Sequence, residues 1–329
     1  MAAELHSHLE KAAGHGDVLK HVILMSHIQE QQKAHPEGIL FVDTHCGPYV
    51  KHRRGRVTTS HKVRFLFSPE SNFQWINRGL YDLSLQKSQE FEKGIVRISQ
   101  ALDDAPPIVK QYFEVVQETD EFMQNYPGSP IFVEKLMRPQ DEYRLCDLFV
   151  GDVQGLKQEP MLEQGDSYHE EAVNYFMPET DKHPVIFIDP SFTTDEDFYK
   201  TRELMDRILA KNPYATVIIF YPLVENNKYR YTFTKLLKDN AKKNGKIGYY
   251  HAYIIVQRKG TQGGSIFIAN PTKQFDDVCD EELLDYLSAI LLKVGRSEYA
   301  LDQWMKKPKK KGVKPPEPPK DDGAPKFAF

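Results

Sequence analysis

Residues 35–47 read HPEGILFVDTHCG. Ile39 to Asp43 is a short apolar run with β-branched and aromatic members that ends in an acid and then, after three residues, in glycine. This pattern predicts a buried strand delivering a carboxylate into a loop. Upstream, residues 18–33 (VLKHVILMSHIQEQQK) set Val18, Ile23, Met25 and Ile28 near helical spacing, and His35, Pro36, Glu37 and Gly38 stop the helix. Downstream the strand pattern recurs at Tyr143 to Leu148, Val185 to Asp189 and Ala215 to Tyr221, two of these carrying an aspartate at or near the end. Tyr249 to Val256 and Ser265 to Ala269 look like a closing antiparallel pair, and helices are predicted at Asp195 to Lys211 and Thr232 to Lys243. Strands alternating with helices, with polar residues at the strand C-terminal ends, predict an α/β fold with a doubly wound, mostly parallel sheet. The ligand crevice is expected at those ends.

The alternation divides the chain into residues 1–85, the N-terminal helix and first part of the α/β domain; 86–125, an acid-rich helical insertion broken by Pro106 and Pro107; 126–304, the remainder; and a Lys/Pro-rich tail, 305–329. The tail cannot form a core of its own. Its final Phe327 and Phe329 gain nothing from solvent, so they are expected to anchor on a protein subunit of a larger assembly. No internal repeat is visible.

Forty-three Lys and Arg against 47 Asp and Glu, a formal charge of -4, give no global basic excess, so any nucleic-acid site must be a local patch. Lys51 to Arg56 is one basic loop of that kind. The three cysteines, Cys46, Cys146 and Cys279, are too scattered for a disulfide framework or a zinc cage, so a reducing compartment and no metal are expected. No apolar run reaches the roughly 20 residues that cross a bilayer. The N-terminus has neither an apolar signal core nor an acid-free presequence. A secreted destination is not expected; a mitochondrial location is, with the cytoplasm as the alternative.

Four motifs occur in order: HGDVLKH (His15 to His21), DTHCG (Asp43 to Gly47), YPGSP (Tyr126 to Pro130) and DPSF (Asp189 to Phe192). Together with Gly94, Ile95, Arg97 and Ile98 in the helical stretch, they resemble the bacterial large-subunit ribosomal RNA adenine-N6 methyltransferase family over roughly residues 5 to 275. The resemblance implies a Rossmann-like S-adenosylmethionine methyltransferase fold with a helical insertion. It implies that Lys20, Asp43, His45, Gly47, Asp147 and Asp166 hold S-adenosylmethionine, with His8, Tyr126 and Ser129 toward the substrate. Asp189, Pro190 and Phe192 become the catalytic trio. In that trio the carboxylate and the proline carbonyl accept the two hydrogens of an exocyclic amine while the ring stacks on the flipped base.

This sequence departs from the family pattern in two places. Pro48 and Tyr49 follow Gly47 where the cofactor turn has small residues, and Ser191 replaces a second proline that aims the preceding carbonyl. The first expectation is therefore a methyltransferase fold whose catalysis has lapsed and which serves as a structural or assembly subunit of a larger complex. The alternative is an active S-adenosylmethionine-dependent ribosomal RNA adenine-N6 methyltransferase, with the 51–56 loop gripping phosphates.

Overall fold

The computed structural model describes residues 12–46, 80–82, 90–118, 125–147, 161–164, 167–169, 172–192, 194–224, 227–255, 261–272, 281–291 and 298–301. Helix α1 (His15–Ala34) turns into strand β1 (Ile39–Asp43) through Gly38. The glycine is required: its φ is +123°, and a Cβ there would lie 2.3 Å from the Gln140 carbonyl oxygen. β1 is buried along its whole length. Its alternation sends Ile39 and Phe41 into one layer and Leu40 and Val42 into the other, as a strand covered on both faces requires.

The short strands β2 (Leu80–Asp82) and β3 (Asn125–Pro127) pair antiparallel, so the chain leaves and returns through one neck. Between them lie α2 (Glu90–Lys93), α3 (Ile95–Ser99) and α4 (Pro107–Gln117). Pro107 opens α4, where a missing N–H costs nothing. Ile95, Ile98, Val109, Tyr112, Phe113 and Val116 join the α1 side of the core rather than a separate one.

The chain continues through α5 (Ser129–Leu136), β4 (Glu142–Asp147), β5 (Met161–Gln164), α6 (Ala172–Phe176), β6 (His183–Ile188), α7 (Asp195–Lys211) and β7 (Thr216–Val224). It ends, among the described residues, with α8 (Asn227–Asn244), β8 (Tyr249–Ile255), β9 (Thr261–Ala269), α9 (Glu281–Leu291) and β10 (Glu298–Leu301). The sheet order is β10-β8-β9-β7-β6-β1-β4-β5. β5, β4, β1, β6 and β7 run parallel, while β9 is antiparallel to both β7 and β8. The chain winds outward from β1 to β5, then returns to β6 on the other side. That reversal opens a crevice between the C-terminal ends of β1 and β6. The topology is that of a Rossmann-like methyltransferase. Helices α1, α4, α5 and α9 cover one face; α6, α7 and α8 cover the other.

Three sequence expectations need correction. α1 starts at His15 rather than at residue 18, and His21, Ser26, His27, Glu30, Gln31 and Gln32 are buried with its apolar residues, because the sheet, α4 and α5 enclose it. β9 begins at Thr261 rather than Ser265. Its glycines are strand residues because a Cβ on Gly263 would meet the Ile254 carbonyl oxygen at 1.8 Å, and one on Gly264 the Phe220 ring at 2.8 Å. β6 starts two residues early, at His183, and takes Pro184 into the strand at its N-terminal end.

Candidate active site at the sheet switch point

Asp43 ends β1 and Asp189 follows β6 directly, and the pairing of these two strands sets the carboxylates at one crevice. Thr44 prolongs the pairing by one residue. Its N–H and its hydroxyl both donate to the Phe187 carbonyl oxygen, at 3.0 and 2.9 Å. Asp43 is fully buried and has two donors: Ser129 Oγ at 2.6 Å from Oδ2, and the His45 N–H at 3.3 Å from Oδ1. Burial pushes its pKa up to about 7, and the neighbouring Asp189 adds to the rise; Ser129, the His45 amide and Lys20 oppose it.

Lys20 projects from α1 into the same crevice. Its ammonium lies 2.7 Å from Asp17 Oδ1, 2.8 Å from Asp189 Oδ2 and 5.4 Å from the Phe220 ring centre on β7. Burial alone would discharge this amine, but the two carboxylates outweigh it and hold its pKa above the ordinary lysine value. Asp17 sits one helical turn before Lys20, in the first turn of α1, and accepts the Ala13 N–H at 3.1 Å. Two carboxylates contact this ammonium and Asp43 lies within its field, so acids outnumber cations among these four groups.

The next residue of α1 faces the other way. His21 Nδ1 lies 2.7 Å from the Tyr126 hydroxyl, which is 3.0 Å from the Tyr112 hydroxyl, and the imidazole stacks on Phe132 at 4.4 Å. Burial keeps the ring neutral, its pKa well below the ordinary value. A circuit closes: Asp189 to Lys20 on α1, His21 to Tyr126, and along YPGSP to Ser129, which returns to Asp43. All four motifs contribute a residue to this circuit.

After Asp189 and Pro190 the backbone reaches φ +47° at Phe192, a left-handed conformation unusual for an aromatic residue. The ring is held by Phe198 at 4.6 Å, Phe233 at 6.2 Å and Tyr221 at 6.5 Å. α7 then starts with a capping box in which Thr194 and Asp197 satisfy each other's backbone groups.

Of the residues singled out from sequence, Lys20, Asp43, His45, Ser129, Asp189, Pro190 and Phe192 stand together. His45 Nδ1 lies 2.8 Å from Thr44 Oγ1 and its ring faces Tyr168 at 5.0 Å. Asp147 ends β4, paired with Gln164, on the far side of β1 from Asp189. Tyr126, read as substrate-facing, is placed in the core, fully buried. Ser129, read in the same way, is buried against Asp43. His8, Gly47, Pro48, Tyr49, the 51–56 loop, Asp166, Phe327 and Phe329 lie outside the described residues. Asp17, His21, Tyr112, Phe198 and Phe233 were missed. Asp17 carried a signal, its i,i+3 spacing from Lys20; the aromatic partners had none, since tertiary packing alone brings them in.

A sequence model of the family described as "Ribosomal RNA large subunit methyltransferase D, RlmJ" matches residues 76–305. The chain is 24% identical over 308 residues to ribosomal RNA large subunit methyltransferase J of Haemophilus influenzae, covering 90% of this chain and 96% of that protein. It is 27% identical over 202 residues to the protein of the same name in Escherichia coli, covering 58% of this chain and 60% of that one. The crystal structure of a Legionella pneumophila protein superposes with a TM-score of 0.69 at 20% identity, covering 88% of this chain and 97% of that one, a likeness of fold. With the family model spanning well over half of its length, the chain belongs to the family of ribosomal RNA large subunit methyltransferase D, RlmJ.

Proposed function

We propose that this chain is an S-adenosylmethionine-dependent methyltransferase that modifies an adenine exocyclic amine in large-subunit ribosomal RNA. The observation that carries the reading is the Asp189 carboxylate, fixed at the end of β6 by a buried ammonium and followed by Pro190 and a conformationally constrained Phe192. The acidic crevice suits a cationic sulfonium ligand. When bound, S-adenosylmethionine supplies an electrophilic methyl group on that sulfonium. Asp189 and the Pro190 carbonyl accept the two amine hydrogens, which frees the nitrogen lone pair from ring conjugation. Lys20 holds the Asp189 carboxylate in place at 2.8 Å, so the acceptor needs no reorganisation during the reaction. Phe192 offers a face for a base taken out of its stack, and the aromatic residues behind it keep that face in place.

A second reading, the fold retained as a structural subunit without efficient catalysis, is favoured by Pro48, Tyr49 and Ser191. Titration calorimetry with S-adenosylmethionine, paired with tritium-methyl transfer to unmodified large-subunit ribosomal RNA, separates the two. The active reading expects binding in the micromolar range and transfer that is lost in Asp189→Asn. Neither heat nor transfer from the intact protein would overturn it in favour of the structural one.

A further inference from the structure

α7 and α8 pack side by side on one face of the sheet and treat their cations differently. On α7, Lys200 pairs with Glu196 at 3.1 Å, Arg202 pairs with Asp206, and Arg207 donates to the Tyr168 and His169 carbonyl oxygens at 2.8 and 2.9 Å. On α8 and the turn after it, Lys235, Lys238, Lys242, Lys243 and Lys246 accompany a single acid, Asp239. Lys235, Lys242, Lys243 and Lys246 are exposed, and among the described residues none of these four is held in an ion pair. Residues 235, 238 and 242 follow helical spacing and share a face, and Lys246 comes one turn later. The Lys238 and Lys242 ammoniums lie 5.7 and 5.8 Å from the centre of one ring, Tyr249. Burial and the charge of Lys242 together lower the Lys238 pKa. Like charges gathered in this way oppose folding, and a polyanion removes the penalty.

The position of the row is informative. β7 runs parallel to β6, so α8, starting at Asn227 three residues after β7 ends, begins at the Asp189 end of the sheet and carries the row away from it, to Lys246, whose N–H donates to Asn270 Oδ1 at the opposite end. From Lys235 to Lys243 the row extends about 12 Å at helical rise, and Lys246 follows just beyond the end of the helix. Among the described side chains of the helix, Phe233, Leu237 and Ala241 are buried in the core and Leu236 is half-buried, so no exposed apolar face is left to insert into a membrane. The exposed large apolar residues among those described are Tyr199 and Tyr214, both outside the row, so it has no apolar anchor for a protein partner.

We propose that Lys235, Lys238, Lys242, Lys243 and Lys246 form a docking track for the phosphate backbone of single-stranded RNA that extends from the target base toward the opposite end of the sheet. The inference deepens the RNA methyltransferase reading and rests on it for the choice of polyanion. The test is fluorescence anisotropy of the full chain with a short, labelled, single-stranded RNA of mixed sequence, across a range of KCl. Lys235→Glu/Lys242→Glu/Lys246→Glu is expected to bind about tenfold or more weakly, and to lower the slope of log affinity against log salt by about two, close to 0.7 per lost phosphate contact. The neutral triple Lys→Gln variant should show the same slope change with a smaller loss of affinity, and both should melt near the wild-type temperature. Unchanged affinity and slope in both variants would overturn the track. So would an effect confined to phosphatidylserine vesicles, which would assign the row to a membrane. Because this readout needs no methyl transfer, a wild type inactive in transfer but with a lysine-dependent salt slope defeats the enzyme reading and keeps the track.

Discussion

β1 meets a buried carboxylate at each end, Asp141 from the turn before β4 and its own Asp43, and the two are treated in opposite ways. At its start, Asp141 accepts the Ile39 N–H at 3.0 Å, Gln32 Nε2 at 2.8 Å, the Arg138 N–H at 2.9 Å and two guanidinium bonds at 2.8 and 3.1 Å. Burial works against ionisation there, but Arg138 and the amides win and the pKa falls below the ordinary carboxylate value. At the other end Asp43 has two donors and an acidic neighbour, and its pKa rises. The left-handed residues repeat the contrast. Asn270, at the end of the sheet where Asp141 lies, has φ +52°; its amide donates to the Pro213 and Ala215 carbonyl oxygens and its side-chain oxygen accepts the Lys246 and Ile247 N–H groups. Asparagine tolerates that conformation; Phe192 at the opposite end does not tolerate it easily. One end of the sheet is built to hold, while the other keeps charge and strain in readiness for a ligand.

The sharpest break of this contrast is Asp141→Ala. It leaves Arg138 and several amides without their acceptor, and the expected cost is about 3–5 kcal/mol, by analogy with removing one member of a buried ion pair. Urea unfolding measures it, and methyl transfer per folded molecule should stay at the wild-type level. A change in transfer with no loss of stability would mean that the two ends do not divide the labour in this way.

Asp43→Asn tests the other end and is expected to act in the opposite direction. A carboxyl whose folded pKa is raised binds its proton more tightly in the folded state. Its penalty is therefore absent below the unfolded value near 3.8, grows as pH rises toward about 7 and is constant above that. Asp43→Asn should then exceed wild type in stability by about 2–3 kcal/mol at pH 8, an advantage that shrinks to nothing near pH 4. The buried histidines oppose this in acid. His15, His27 and His183 have pKa values lowered to about 4, 3 and 4, mainly by burial, so their contribution is complete above pH 6.5 and is lost as pH falls toward 4. Urea midpoints from pH 5 to 9 read both limbs. Equal stability of the two proteins at pH 8 would show that Asp43 is satisfied after all.

Much of this contrast was legible in the sequence, and the part that was not has physical causes. The buried strands of the parallel core show as apolar runs because both of their faces are covered, and the acids at their ends mark the crevice. α7 was legible to the residue, Asp195–Lys211, because its capping residues and charged periphery are local signals. The edge strands β5 and β10 were not, being four residues each with mixed polarity. Lys20, Asp43 and Asp189 were found through motif resemblance. Asp141 and Asn270 were not singled out: their importance lies in partners more than a hundred residues away for Asp141, and more than fifty for two of the Asn270 acceptors.

Tyr126→Phe probes the link that ties the α1 end of the circuit to YPGSP. It removes the hydroxyl between His21 and Tyr112 and leaves both buried groups short of a partner, at an expected cost of about 1–3 kcal/mol. If Lys20 and Ser129 depend on this link for their placement, KM for S-adenosylmethionine should rise two- to fivefold while the pH profile keeps its shape. A loss of stability with unchanged kinetics would confine His21 and Tyr126 to packing.

The smallest expected effect is also the most direct test of how far the working end departs from its family. Ser191 stands where the family has a second proline, and a proline holds its predecessor extended, which aims the Pro190 carbonyl at the amine. Among the described residues no backbone acceptor is bonded to the Ser191 N–H, so Ser191→Pro sacrifices no hydrogen bond. It also reduces the freedom of the unfolded chain, so stability should change by less than about 1 kcal/mol, upward if φ at position 191 already suits the ring. The gain belongs in kcat rather than KM, because an acceptor already present becomes better oriented in the transition state. A rise of about three- to tenfold in single-turnover methyl transfer is expected, about 0.6–1.4 kcal/mol. A rise in kcat with KM unmoved would show that carbonyl orientation limits transfer. No change in kcat, from a variant of wild-type stability, would turn the test to the other departure from the family pattern, where Pro48→Ala/Tyr49→Gly should strengthen S-adenosylmethionine binding.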